Sequence, residues 1–148
     1  MQIIGFGFTK ITAFKLETFN RTSANINTTM EFTDVKKEEI KILKDNNEGL
    51  KLNFKLSIDY TPQDSDKKQE KQDKQGEISF EGYLIVSVTK EESKNIQKSY
   101  KKKQMSPALL TPLYNFLLRK CAPKAMDLED EIGLPLHIPI HQIKPKFE

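Results

Sequence analysis

The sequence contains no tryptophan, only one cysteine and only two histidines among its 148 residues. With Cys121 as the single thiol, an intramolecular disulfide is excluded and a reducing cytosol is the expected compartment. No apolar run approaches the roughly 20 residues that a membrane helix needs. The residues after Met1 show neither a basic leader nor a signal-peptide core. We therefore expect a cytoplasmic protein with no membrane partner.

Arginine is scarce as well. The chain has 24 lysines and arginines against 21 acids, a net charge of +3, and only Arg21 and Arg119 are arginines. Proteins that read phosphates or bases normally use the bidentate fork of arginine. Nucleic acid is therefore a disfavoured partner, and the lysine run Lys101 to Lys103 keeps it only as a third alternative.

The residue types that carry catalysis do not combine into a site. The pair Gly5 and Gly7 lacks the third glycine and the helix of a dinucleotide-binding fingerprint. His137 and His141 are four residues apart, but prolines interrupt the segment and no third metal ligand stands nearby. The carboxylates expected to form a solvated helix face are Asp127, Glu129, Asp130 and Glu131. We predict that the protein is not an enzyme and uses no metal or cofactor.

What the sequence does have is strict alternation. From Leu50 to Tyr60 every even position is apolar or aromatic and every odd position is polar, which predicts a strand with one buried face. A second strand is predicted to bury Ile26, Thr28, Met30 and Phe32, and a third runs from Ile78 to Val88. One-faced strands of this kind are typical of antiparallel sheets.

Two further segments complete the predicted sheet region. A first strand is predicted from Ile3 to Phe19, with one face formed by Ile4, Phe6, Phe8, Phe14 and Leu16. Residues 35–46 have few apolar positions and are interpreted as a loop, with a short strand as the alternative. The segment 62–76 has no aliphatic or aromatic side chain, and its four acids and four lysines cancel, so we predict a mobile charged loop within a hairpin.

After Val88 the pattern becomes helical. Thr89 and Glu92 form a capping box at the start of a short helix that ends at the three lysines. Ser106 and Pro107 mark a second start, although Pro112 predicts that regular helix begins or kinks there. Cys121 is expected to be a packed thiol on this helix. The chain is predicted to be one α+β domain over residues 1–148, a four-stranded antiparallel sheet with C-terminal helices on one face.

The second helix is apolar on several sides, so it is expected to bury more than the face that one sheet can cover. Another subunit or a ligand has to meet the remaining surface, and a homodimer contact without any further role is one alternative.

Four motifs together resemble the SecB chaperone family. Phe8-Thr9-Lys10 followed by Phe14 is similar to the family's first strand, and the hairpin from Leu50 to Val88 lies where its central strands lie. Pro107-Ala-Leu-Leu-Thr-Pro112 followed by Tyr114 resembles the opening of its long helix. Leu134 to Ile140 resembles its extended proline-containing segment.

This resemblance implies an ATP-independent holdase that binds unfolded or non-native polypeptides in apolar grooves, assembled as a dimer or a dimer of dimers. By position it implies a dimer-forming strand with Ile4, Phe6, Phe8 and Lys10. The residues it implies for the groove and helix interface are Phe19, Met30, Phe32, Leu110, Leu113, Tyr114 and Leu117.

Departures from the family pattern narrow the expected role. The sequence ends at Glu148 without the second C-terminal helix and acidic tail, and its surface is rich in lysine where the export chaperone is acidic. Docking to the SecA motor is therefore not expected, and clients such as an antitoxin fit better. The alternative from another class is a structural or adaptor subunit that keeps the fold and binds one folded partner.

Overall fold

The computed structural model describes residues 1–21, 24–41, 46–63 and 74–146. Four long strands come first and two helices follow, which confirms the predicted α+β class. The strands are β1 (Gln2–Lys15), β2 (Ala24–Glu38), β3 (Asn47–Pro62) and β4 (Gly76–Thr89). The helices are α1 (Lys90–Lys101) and α2 (Pro107–Ile132).

The strands form one sheet in the order β1-β4-β3-β2, and every neighbouring pair is antiparallel. Strands β3 and β4 are central and make the predicted hairpin, with Tyr60 opposite Gly76 and Leu50 opposite Val86. Its connection was predicted to be a mobile loop at 62–76, and residues 64–73 of that prediction lie outside the described residues. Strands β1 and β2 form the two edges of the sheet.

The alternation in β3 sets the position of the core. All six even positions from Leu50 to Tyr60 are at most 2% exposed, whereas Lys51 and Asn53 are partly exposed on the other face. The same core takes Phe80 and Leu84 from β4 and residues of both helices, so the helices cover one face of the sheet. Each such side chain contributes about 2 kcal/mol relative to full exposure.

The predicted common face of the first strand is correct for Phe6 and Phe8, but wrong for Ile4 and for Phe14. Register shifts between Ile3 and Gly5 and between Phe8 and Lys10 each insert an extra residue into β1. Because side chains alternate with a period of two, such a bulge reverses every later position. Phe8 pairs with Gly82 on the core face, whereas Phe14 pairs with Glu77 on the opposite face.

The boundaries of two strands also differ from prediction. β1 ends at Lys15 and does not reach Phe19. β2 continues into residues predicted to be a loop or a short strand and ends at Glu38, because a bulge between Phe32 and Asp34 returns Val35 to the core face opposite Leu52.

The helix boundaries follow the capping signals. The Thr89 hydroxyl accepts the N–H of Glu92 at 3.2 Å, and the Ser106 hydroxyl accepts the N–H of Leu109 at 3.4 Å. α2 begins at Pro107, so a start at Pro112 is wrong, and one helix runs through both internal prolines. The carbonyls that lose a partner belong to Ala108 and Arg119, which are exposed residues whose carbonyls water can satisfy.

A single stripe of α2 faces the sheet. Its members recur every four residues, as one face of a helix requires. They are Leu113, Leu117, Cys121, Ala125 and Glu129. The predicted burial of the thiol is confirmed, while Leu118 on another side of the helix is 39% exposed. In the part of the chain that the structure describes, neither helix is long and apolar enough to cross a membrane.

Candidate functional site

A cleft of about 750 Å³ opens where the edge strand β2 meets the junction between α1 and α2. Its residues come from three elements that are far apart in sequence: the bulge of β2, the last turn of α1 with the following loop, and the first turns of α2. They are Glu31, Phe32, Thr33, Tyr100, Lys101, Lys103, Met105, Leu110 and Tyr114.

The floor of the cleft is aromatic. The rings of Phe32 and Tyr114 stack with centroids 5.5 Å apart and an angle of 30° between their planes. The Tyr114 hydroxyl donates to the carbonyl of Met30 at 3.5 Å, which ties α2 to β2. Burial raises the pKa of Tyr114, and the nearby Glu31 carboxylate raises it further, so this phenol stays neutral at the base of the cleft.

The walls of the cleft carry opposite charges. Lys101 ends α1, and Lys103 follows it with φ at 55°, in the left-handed region that turns the chain towards α2. The lining residue that β2 contributes with negative charge is Glu31. Within the described ranges, neither of these lysines forms a salt bridge. The lining therefore combines an apolar floor with a cationic wall and a single anionic group.

The cleft brings together only some of the groove residues predicted from the sequence. Phe32, Leu110 and Tyr114 line it, and Met30 is half-buried beside it. Leu113 and Leu117 are fully buried in the chain's own core.

Phe19 lies apart from the cleft, with its ring against that of Tyr60 at a centroid distance of 6.4 Å. The sequence pattern of α2 could not separate its cleft residues from its core residues, because neighbouring faces of this helix are all apolar in sequence.

The predicted dimer strand is the opposite edge of the sheet. Ile4 is 42% exposed and Lys10 is also exposed, whereas Phe6 and Phe8 are half-buried against the core. Among the described residues, β1 pairs with β4 along one side, so its other side presents backbone N–H and C=O groups at a sheet edge.

A buried polar cluster was missed by sequence reasoning. Glu129 was predicted to be solvated, and that prediction is wrong: the residue is fully buried. Its carboxylate accepts the Tyr60 hydroxyl, and it also accepts the backbone N–H of His137 at 2.7 Å. Burial raises the pKa of Tyr60, and the hydrogen bond to Glu129 adds to that shift. The burial of Glu129 could have been predicted from its position, because residue 129 continues the four-residue spacing of the buried stripe of α2.

The glycine pair of β1, which was considered as a nucleotide-binding motif, has a structural explanation at Gly7. The backbone at Gly7 lies under the Tyr83 ring, where a Cβ would come within 2.8 Å of the ring, which explains a glycine on that strand. Within the described residues, no three His, Cys, Asp or Glu side chains gather into a group that could hold a metal ion.

Comparison with known proteins identifies the fold. The chain has the SecB-like fold: it matches a SecB-like chaperone of Mycobacterium tuberculosis, solved in complex with a ChAD peptide from the HigA1 antitoxin, with a TM-score of 0.54. The match covers 98% of this chain and 92% of that one at 12% sequence identity. No protein-family model and no curated protein sequence matches the chain.

Proposed function

We propose that the protein is an ATP-independent holdase that binds extended, non-native polypeptide segments in the cleft between β2, α1 and α2. The observation that carries the proposal is an open cleft with an aromatic floor beside β2, an edge strand of the sheet. Burial of apolar side chains is non-directional, so such a floor tolerates many client sequences.

The adjacent strand edge adds a second means of binding. An extended client can pair its backbone with an edge strand irrespective of its sequence, while its side chains enter neighbouring pockets. The relative of known structure binds an antitoxin peptide, which supports a polypeptide client for this fold. The single buried thiol of Cys121 suits a reducing cytosol as the place of action.

The experiment is suppression of aggregation. We expect the full chain, at severalfold excess and without nucleotide, to keep an unrelated heat-labile reporter protein from aggregating. Replacing Tyr114 and Leu110 with serine should abolish this effect, because both residues form the apolar lining. Leu118→Ser is the matched control, since Leu118 is an exposed leucine of the same helix outside the cleft.

The outcome separates the two leading functions. A wild-type chain that leaves reporter aggregation unchanged would overturn the holdase proposal. The adaptor alternative would then predict tight binding to one folded partner and none to unfolded reporters. A salt-sensitive complex with single-stranded RNA would instead favour the nucleic-acid alternative.

We propose that the assembly is a dimer, or a dimer of dimers, that uses the β1 edge. The exposed backbone of β1 and the apolar side chain of Ile4 support this proposal. Light scattering at several concentrations gives the mass. Ile4→Lys should reduce the dimer, whereas Ile26→Lys on the other edge strand should leave it intact; equal effects would argue against β1.

A further inference from the structure

We propose that the cleft selects segments in which a bulky apolar side chain is flanked by acidic residues. This inference rests on the proposed function, because it specifies the clients of the same cleft. The apolar side chain would lie on Phe32 and Tyr114, and the client carboxylates would meet Lys101 and Lys103.

The two ammonium groups are available to a ligand. The backbone itself satisfies three carbonyls in the last turn of α1: the N–H of Lys102 reaches Lys98 at 3.1 Å, that of Lys103 reaches Tyr100 at 3.0 Å, and that of Gln104 reaches Ser99 at 2.9 Å. The lysine side chains are therefore not needed to cap the helix. Both side chains are exposed and, in the ranges described, neither has an acidic partner.

The single acid of the lining gives the site a direction. Glu31 is the lining acid that β2 contributes, whereas both lysines come from the end of α1 and the residues after it, and the Glu31 charge helps to raise the pKa of Tyr114 on the floor. A client carboxylate is attracted on the α1 side and repelled on the β2 side. A lysine-flanked segment is repelled by both lysines and can pair only with Glu31.

The expected selectivity is moderate. Ion pairs exposed to water contribute little individually, so two of them give about a threefold to tenfold difference in affinity, reduced by salt. The apolar floor supplies the larger part of the binding free energy, and the two lysines determine which clients bind more tightly.

The test uses three fluorescent peptides with one shared apolar core, flanked by aspartate, serine or lysine, titrated with the full-length chain. We expect the aspartate-flanked peptide to bind most tightly, the lysine-flanked one least, and the differences to shrink at high ionic strength. Lys101→Glu with Lys103→Glu should reverse this order. The same pair changed to glutamine should remove the preference while leaving binding of the serine peptide unchanged.

The matched control is Lys90→Glu with Lys94→Glu, which makes the same change of charge at exposed positions of α1 outside the cleft. It should keep the original order. Loss of the preference in this control would assign the preference to overall charge and overturn the site. Equal binding of all three peptides would overturn the charge selectivity and leave the holdase intact. Failure of all three to bind, together with no suppression of aggregation, would overturn the proposed function itself.

Discussion

Glu129 and His137 are joined twice: the carboxylate accepts the backbone N–H of His137 at 2.7 Å and lies 2.5 Å from its ring Nδ1. The N–H of Leu134 also reaches the Glu129 carbonyl, at 2.9 Å. Since the Tyr60 hydroxyl donates to the same carboxylate, one buried side chain fastens the end of α2 both to the sheet and to the segment that follows Gly133.

The first prediction concerns this carboxylate. Glu129→Gln leaves one acceptor oxygen and no charge, so the hydrogen bonds from the Tyr60 hydroxyl and the His137 N–H lose their charge assistance. We expect the free energy of unfolding to fall by about 2–3 kcal/mol in urea titrations. Glu131→Gln, an exposed carboxylate of the same helix, is the control and should change little. Equal stability of the two variants would show that the cluster does not stabilise the fold.

The second prediction is a pH dependence that involves Tyr60. Burial and the Glu129 carboxylate raise the pKa of this phenol above its ordinary value of 10.0. The folded state therefore favours the neutral form, and its contribution is complete below pH 10 and is lost as the pH rises above that value.

Urea titrations between pH 8 and pH 11 check this dependence. Wild type should lose more stability over the interval than Tyr60→Phe, which has no phenol to ionise. Tyr83→Phe is the control on a partly exposed tyrosine of the same sheet, and it should follow wild type. Parallel curves for wild type and Tyr60→Phe would contradict the assignment.

The sequence could predict features that depend on local periodicity, and it could not predict those that depend on register. The alternation around Phe54 predicts a strand because the polarity of each residue there indicates which face of the sheet it occupies. A bulge such as that after Phe8 leaves the composition unchanged and yet reverses the phase, so it becomes visible only once β4 is paired.

The site shows the same division. Capping by Ser106 was predictable because both partners are three residues apart, whereas Glu129 meets Tyr60 across 69 residues. The cleft depends on which of the apolar faces of α2 the sheet covers. Leu110 and Leu113 have the same chemistry, and only the packing of the helix separates them.

The third prediction concerns Cys121, which is 1% exposed and whose pKa is raised by burial to about 11. Because the thiolate is the reactive form, we expect alkylation at pH 8 to be slow in the folded protein and complete in urea. The combination Cys121→Ala with Leu118→Cys moves the thiol to an exposed position of α2 and should react at once. Similar rates for the two proteins would contradict the packing of Cys121.

The last prediction separates the core of α2 from its proposed working surface. Leu113 is fully buried, so Leu113→Ala should lower the free energy of unfolding by about 2–5 kcal/mol through lost burial and a residual cavity. Leu110 is half-buried at the cleft, so Leu110→Ala should cost about 1 kcal/mol or less. Client binding should show the reverse pattern of sensitivity. Leu110→Ala should weaken client binding, while Leu113→Ala should bind clients normally at a temperature where it remains folded. Urea titration and peptide titration of both variants measure the two quantities separately. If Leu113→Ala lost client binding while fully folded, the binding surface would extend into the stripe that now faces the sheet, and the cleft would not be the complete site.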